Sequence, residues 1–175
     1  MKRKDSKNKA LTSTLAFVAG LSVILIHELG HALALTLRGI PCVLHYNRVS
    51  LSTPAPFVDV DLLGPLLPLI IAIVTSVIFL RTGHSLATPI ITVFSSLSFL
   101  EGFIGVTGMS QDDAYRSSLE LGLESWVVPC LFIGLSLILW FPVFKKRRQD
   151  FVPSIVFGIV GMLVWYFMLG PAILP

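Results

Sequence analysis

Ile26-His27-Glu28-Leu29-Gly30-His31 lies inside an apolar run from about residue 11 to residue 37. In an α-helix, residues four apart share one face, one turn apart, so His27 and His31 stand one above the other. Two imidazoles so placed can bind one Zn²⁺, and Glu28 between them can serve as general base toward water. The setting makes the pattern unusual. Ionisable groups sit in a stretch long enough to cross a membrane, where each is costly unless it has a partner.

The rest of the composition agrees with that setting. The chain has 175 residues, 54% of them hydrophobic and 13% charged, with a mean hydropathy of +0.85. Soluble domains carry about a quarter charged residues, so this balance points to a polytopic membrane protein. The net charge of +3 is no nucleic-acid footprint, because the basic residues cluster in two blocks beside apolar spans. One block is Lys2, Arg3, Lys4, Lys7 and Lys9, and the other is Lys145, Lys146, Arg147 and Arg148. Cys42 and Cys130 have no metal or disulfide spacing. The basic start and apolar run resemble a signal peptide, but the run is too long and lacks a small-residue cleavage site. It is expected to be a retained first span.

Five spans of roughly 20 residues can be drawn, at 11–37, 61–80, 85–106, 123–144 and 152–169. The expected fold is therefore an all-α polytopic bundle of about five transmembrane helices, forming one domain over residues 1–175. The expected location is the cell membrane. Ten of the thirteen lysines and arginines fall on one side when the amino terminus is placed in the cytoplasm, which predicts that orientation and an outer carboxyl terminus. The turn at 110–120 then lies on the same side as the outer end of the first span.

A zinc site built for hydrolysis needs three protein ligands and an open position. The first span supplies two. His45, Asp59, Asp61, His84, Glu101, Asp112 and Asp113 are the candidates for the third. His84 falls on the opposite side, and Asp59 and Asp61 have an N-terminal charge role on the second span. Glu101 is an acid near the end of an apolar helix and needs a partner. Ser110-Gln111-Asp112-Asp113 reads as a helix start, with Ser110 as cap and Asp113 at the third helical position. That reading leaves Asp112 freer to bind metal, so Asp112 is favoured, Asp113 follows closely, and Glu101 comes after both. Arg116, Glu120 and Glu124 read as a solvated surface. Trp126, Trp140, Trp165 and Tyr166 read as interface anchors or packing.

Residues 41–60 mix Val43, Val49, Leu51 and Val58 with polar residues, and Thr53-Pro54-Ala55-Pro56 forces a turn or extended backbone. A re-entrant β-hairpin beside the first span and an ordinary outer loop fit this pattern equally. A hairpin there would offer an edge on which an unwound peptide could pair.

The histidine motif, Leu63-Gly64-Pro65-Leu66 at the second span and the acidic pair after the third together resemble the site-2 protease family of intramembrane zinc metalloproteases. The resemblance implies His27 and His31 as zinc ligands, Glu28 as catalytic base, and Asp112 or Asp113 as third ligand. It implies one Zn²⁺ per chain, and as substrates membrane-spanning proteins or signal-peptide remnants held in the lipid bilayer. This chain departs from the family pattern at two places. The family's Asp-Gly becomes Asp112-Asp113-Ala114, and an Asn common after the Gly-Pro of the second span becomes Pro68. Two other readings use the same residues: a catalytically inactive membrane relative, and a metal-transporting membrane protein.

Overall fold

The computed structural model describes residues 2–51, 58–109 and 112–174. The apolar runs form four long helices: α1 (Lys2–Leu37), α2 (Val58–Thr82), α3 (Ala87–Thr107) and α5 (Val127–Val164). A short helix, α4 (Asp113–Glu120), lies between the last two. The shortest of the long helices, α3, has 21 residues. At the α-helical rise it reaches about 31 Å, enough to cross a hydrocarbon core of about 30 Å. The protein is an all-α integral membrane protein with four long apolar helices as candidate spans.

The last of these helices is bent double. Ser136 Oγ donates to the Ser95 carbonyl at 2.9 Å, and a side chain at Gly158 would meet Val93. In one straight helix residues 136 and 158 would lie about 33 Å apart, yet both pack on neighbouring turns of α3. The break is at Arg147, whose φ of −141° and ψ of 41° leave the helical region. Trp140 and Phe151 then meet across the bend, with ring centroids 5.8 Å apart. Arg147 also donates through Nη2 to the Gly83 carbonyl at 3.0 Å, tying the bend to the end of α2. The two arms correspond to the fourth and fifth expected spans.

Small residues set how closely the helices approach, as expected where lipid and side chains are equally apolar. A Cβ on Gly20 of α1 would strike the Gly158 carbonyl of the second α5 arm. The core between them is built from Ala16, Ala19 and Val23 of α1, Leu69 and Ala72 of α2, and Ile91 and Val93 of α3.

These contacts also fix which ends lie together. Gly30 rests on Leu63, so α1 and α2 run antiparallel and the start of α2 meets the far part of α1. The start of α1, the end of α2 and the bend of α5 therefore share one end of the bundle. The other end holds the histidine motif, the start of α4 and a two-stranded antiparallel hairpin. Its strands β1 (Cys42–Leu44) and β2 (Val49–Leu51) pair Cys42 with Leu51 and Leu44 with Val49. Its turn is closed by His45 N–H donating to the Arg48 carbonyl at 2.9 Å. The hairpin docks on the end of the second α5 arm, where Trp165 Nε1 donates to the Tyr46 carbonyl at 2.9 Å. There the helix widens into a π-helical turn, Trp165–Leu169, before a last turn at Gly170–Ile173. The Thr53-Pro54-Ala55-Pro56 turn lies outside the described residues.

Candidate metal centre

Three elements converge on the far half of α1. His27 and His31, one turn apart as their spacing requires, are each 8% exposed, and Glu28 beside them is 6% exposed. From the start of α4, Asp113 reaches both rings with one oxygen. Asp113 Oδ2 lies 3.1 Å from His27 Nε2 and 3.0 Å from His31 Nε2, and the two Nε2 atoms are 3.0 Å apart. Among the described residues these three form the group able to hold a metal ion.

The protons on the rings decide what such a triangle means. His31 Nδ1 lies 2.7 Å from the Val60 carbonyl, which can only accept, so the proton sits on Nδ1. Glu101 Oε1 lies 3.0 Å from His27 Nδ1, and a carboxylate beside that nitrogen favours the proton there too. In neutral rings both Nε2 atoms then carry lone pairs. Two lone pairs and a carboxylate oxygen face one another at hydrogen-bond distance, which is repulsive unless a proton or a metal ion lies among them. Three atoms spaced 3.0 to 3.1 Å apart lie about 1.8 Å from their common centre, close to the Zn–N and Zn–O bond lengths of about 2.0–2.2 Å. Acids also crowd this region, with Asp113 and Glu101 acting on Glu28 and Asp112, and Asp113 on Asp61, and the Arg116 guanidinium offsets part of that charge at Asp61 and Asp112. Donor type, spacing and charge all fit a divalent ion.

The local backbone explains why the triangle closes. A Cβ at Gly64 would overlie the His31 ring, and one at Gly30 would overlie the Leu63 carbonyl. Glycine at both positions lets α1 lie against the backbone of α2, so the Val60 carbonyl comes within reach of His31. α2 also carries Pro65 and Pro68, which remove two helical N–H donors close to the site.

The two aspartates exchange the roles expected of them. Asp112 is the N-cap of α4, its Oδ1 accepting from Tyr115 N–H at 2.9 Å. It is therefore Asp113, the first residue of the helix, that faces the histidines. Ser110, the expected cap, lies outside the described residues. Burial, with the nearby Glu101 and Asp113 charges, outweighs the Tyr115 amide and pushes the Asp112 carboxyl up to about 6. Burial opposes ionisation of Asp113 as well, but when the rings carry a proton on Nε2, hydrogen bonds and charge from His27 and His31 hold its carboxyl well below the usual range.

Arg116 is exposed, as expected, and it also serves the site. Its guanidinium bonds Asp113 Oδ1 and reaches Asp61, with Nε 3.0 Å from Asp61 Oδ2. It fastens α4 to α2 and occupies the Asp113 oxygen that does not face the histidines. Asp59 and Asp61 lie in the first turn of α2 as expected, and each also pairs with an arginine, Asp59 with Arg38 at 2.6 Å. His45 lies in the hairpin turn and His84 follows α2 at the opposite end of the bundle. Glu101 faces the far side of the His27 ring rather than the triangle.

The roles of Gly64, the Val60 carbonyl and Arg116 went unread in the sequence. A signal existed for Arg116, which follows Asp113 by one helical turn. Neither the family models, the curated proteins nor the solved structures compared with this chain give a match, so the reading of the site rests on its own geometry.

Proposed function

We propose that this chain is a site-2-protease-like zinc endopeptidase that cuts membrane-spanning substrates within or at the edge of the bilayer. The observation that carries the proposal is the buried triangle of His27, His31 and Asp113 with Glu28 beside it, inside a bundle of membrane-length helices. His27, His31 and Asp113 would hold the ion. When bound, Zn²⁺ supplies Lewis acidity, polarising a substrate carbonyl and making water acidic enough to react near neutral pH.

The chain's own groups do the remaining work. Glu28 accepts a proton from the attacking water and passes it to the departing amine, the role of a general base that later acts as acid. Arg116 keeps Asp113 in place through its second oxygen, and the Val60 carbonyl keeps the His31 proton on Nδ1. The hairpin of β1 and β2, anchored at Tyr46 and lying against α1, offers a strand edge on which an unwound substrate could be held extended. Substrates would be membrane proteins or signal-peptide remnants. The basic blocks support a cytoplasmic amino terminus, which would place the site toward the outer leaflet.

The test is cleavage of a membrane-spanning substrate by purified chain, wild type against Glu28→Gln, with zinc measured on the same samples. The expected result is zinc in both and cleavage in wild type alone. Equal cleavage by the two would defeat the assignment of Glu28. Zinc without cleavage in either would favour the inactive relative, and zinc moving across sealed vesicles would favour the transporter.

A further inference from the structure

Glu101 is a carboxylate in α3, a helix that carries no other charged residue. Its side chain is 13% exposed, and among the described residues its ion-pair contact is with His27, Oε1 lying 3.0 Å from Nδ1. Its other oxygen, Oε2, is buried with no hydrogen-bond partner among the described residues. An acid at membrane depth is costly unless it is partnered, and such groups are retained where they serve a site. The contact lies on the Nδ1 edge of the ring, whereas the triangle forms on the Nε2 edge. A group against Nδ1 cannot also reach an ion on Nε2, so Glu101 is not the third ligand.

We infer that Glu101 is a positioning residue, holding the His27 ring with its proton on Nδ1 and its Nε2 lone pair turned into the metal site. This inference rests on the metal-binding part of the proposed function and not on proteolysis. It completes a consistent set, since each ligand then has an outer partner from a different element. His31 has the Val60 carbonyl of α2, Asp113 has Arg116 of α4, and His27 has Glu101 of α3. Of the two histidine partners Glu101 alone is charged, so it also raises the basicity of its imidazole toward a cation. The contact is short but poorly aligned as a hydrogen bond, since His27 Nδ1 has no well-directed acceptor.

The experiment compares full-length wild type, Glu101→Leu and Glu101→Gln in detergent. Zinc affinity is measured by competition with a chelator, Co²⁺ absorption reports the ligand field, and thermal unfolding is followed without metal. Glu101→Leu is expected to bind zinc about 10- to 100-fold more weakly and to shift the Co²⁺ spectrum. Glu101→Gln, whose amide oxygen still accepts from Nδ1, should recover part of the affinity. The metal-free Leu protein should unfold at or above the wild-type temperature, because a buried carboxylate has been removed. Wild-type zinc affinity in Glu101→Leu overturns the inference, and so does a metal-free Leu protein that unfolds well below wild type, which would assign Glu101 to the fold. Failure of wild type itself to bind zinc refutes the metal site instead, a separate outcome.

Discussion

Replacing Gly64 by alanine adds a single methyl group and tests the site through its packing. In an ordinary helix interior the change is favourable by about 0.5–1 kcal/mol. Here the new Cβ would overlie Nε2, Cε1 and Cδ2 of His31. Overpacking of this kind costs about 1–3 kcal/mol. Which state bears that cost decides what is measured. Without metal, His31 can turn away, so the clash is relieved by giving up the 2.7 Å bond to the Val60 carbonyl. With metal, the ring must stay in the triangle and the clash remains. The penalty therefore falls on the metal-bound state, and zinc affinity should drop by about 5- to 150-fold while metal-free stability changes little. Chelator competition and thermal unfolding on the full chain measure the two quantities. Gly134→Ala is the control, because nothing lies within 4 Å of a Cβ there, and it should leave zinc affinity untouched. Wild-type zinc affinity in Gly64→Ala would refute the placement of His31 against α2.

Other substitutions separate the residues that share the site. Asp113→Asn should abolish tight zinc binding, whereas Asp112→Asn keeps an effective cap and should retain it; equal loss in both by zinc titration would contradict the division of roles. Asp112→Ala removes the cap and should lower stability by about 0.5–2 kcal/mol, read by thermal unfolding. Arg116→Ala should weaken zinc binding by freeing the second oxygen of Asp113, and Arg116→Lys should recover only part of it, since a lysine cannot span Asp61 and Asp113 with a planar fork. Zinc affinity should also fall as the pH is lowered, because a proton taken up on either histidine competes with the metal. The Asp113 carboxyl is held below its ordinary range, so it stays ionised while the histidines take up protons and the loss should follow the two rings. Zinc titrations over a series of pH values check this, and affinity that rises as pH falls would contradict it.

Much of this arrangement could be read directly from the residues, for physical reasons that also explain the rest. Apolar runs long enough to cross a bilayer leave few alternatives to helices, because backbone groups must be satisfied within the segment. The pairing of His27 and His31 follows from helical spacing alone. The choice between Asp112 and Asp113 did not follow, because one residue turns a helix by about 100° and so decides which carboxylate faces inward. Reading the cap at Ser110 rather than at Asp112 reversed the assignment, although aspartate is itself among the strongest caps. Glu101 was legible as an acid in need of a partner, but only the approach of α3 to α1 shows that the partner is the Nδ1 edge of His27. Gly64 was visible only as part of Leu63-Gly64-Pro65-Leu66. Its role depends on how closely α1 and α2 pack, which no local pattern encodes. The fourth and fifth spans were legible as apolar lengths, while their joining through a single non-helical residue, Arg147, depends on contacts at the end of α2.

Elemental analysis of the purified full-length chain, against His27→Ala and Asp113→Ala prepared in the same way, tests the central claim most directly. The account predicts close to one zinc ion per wild-type chain and almost none in either variant. A wild-type chain that carries no metal after purification and takes up none on titration would contradict it.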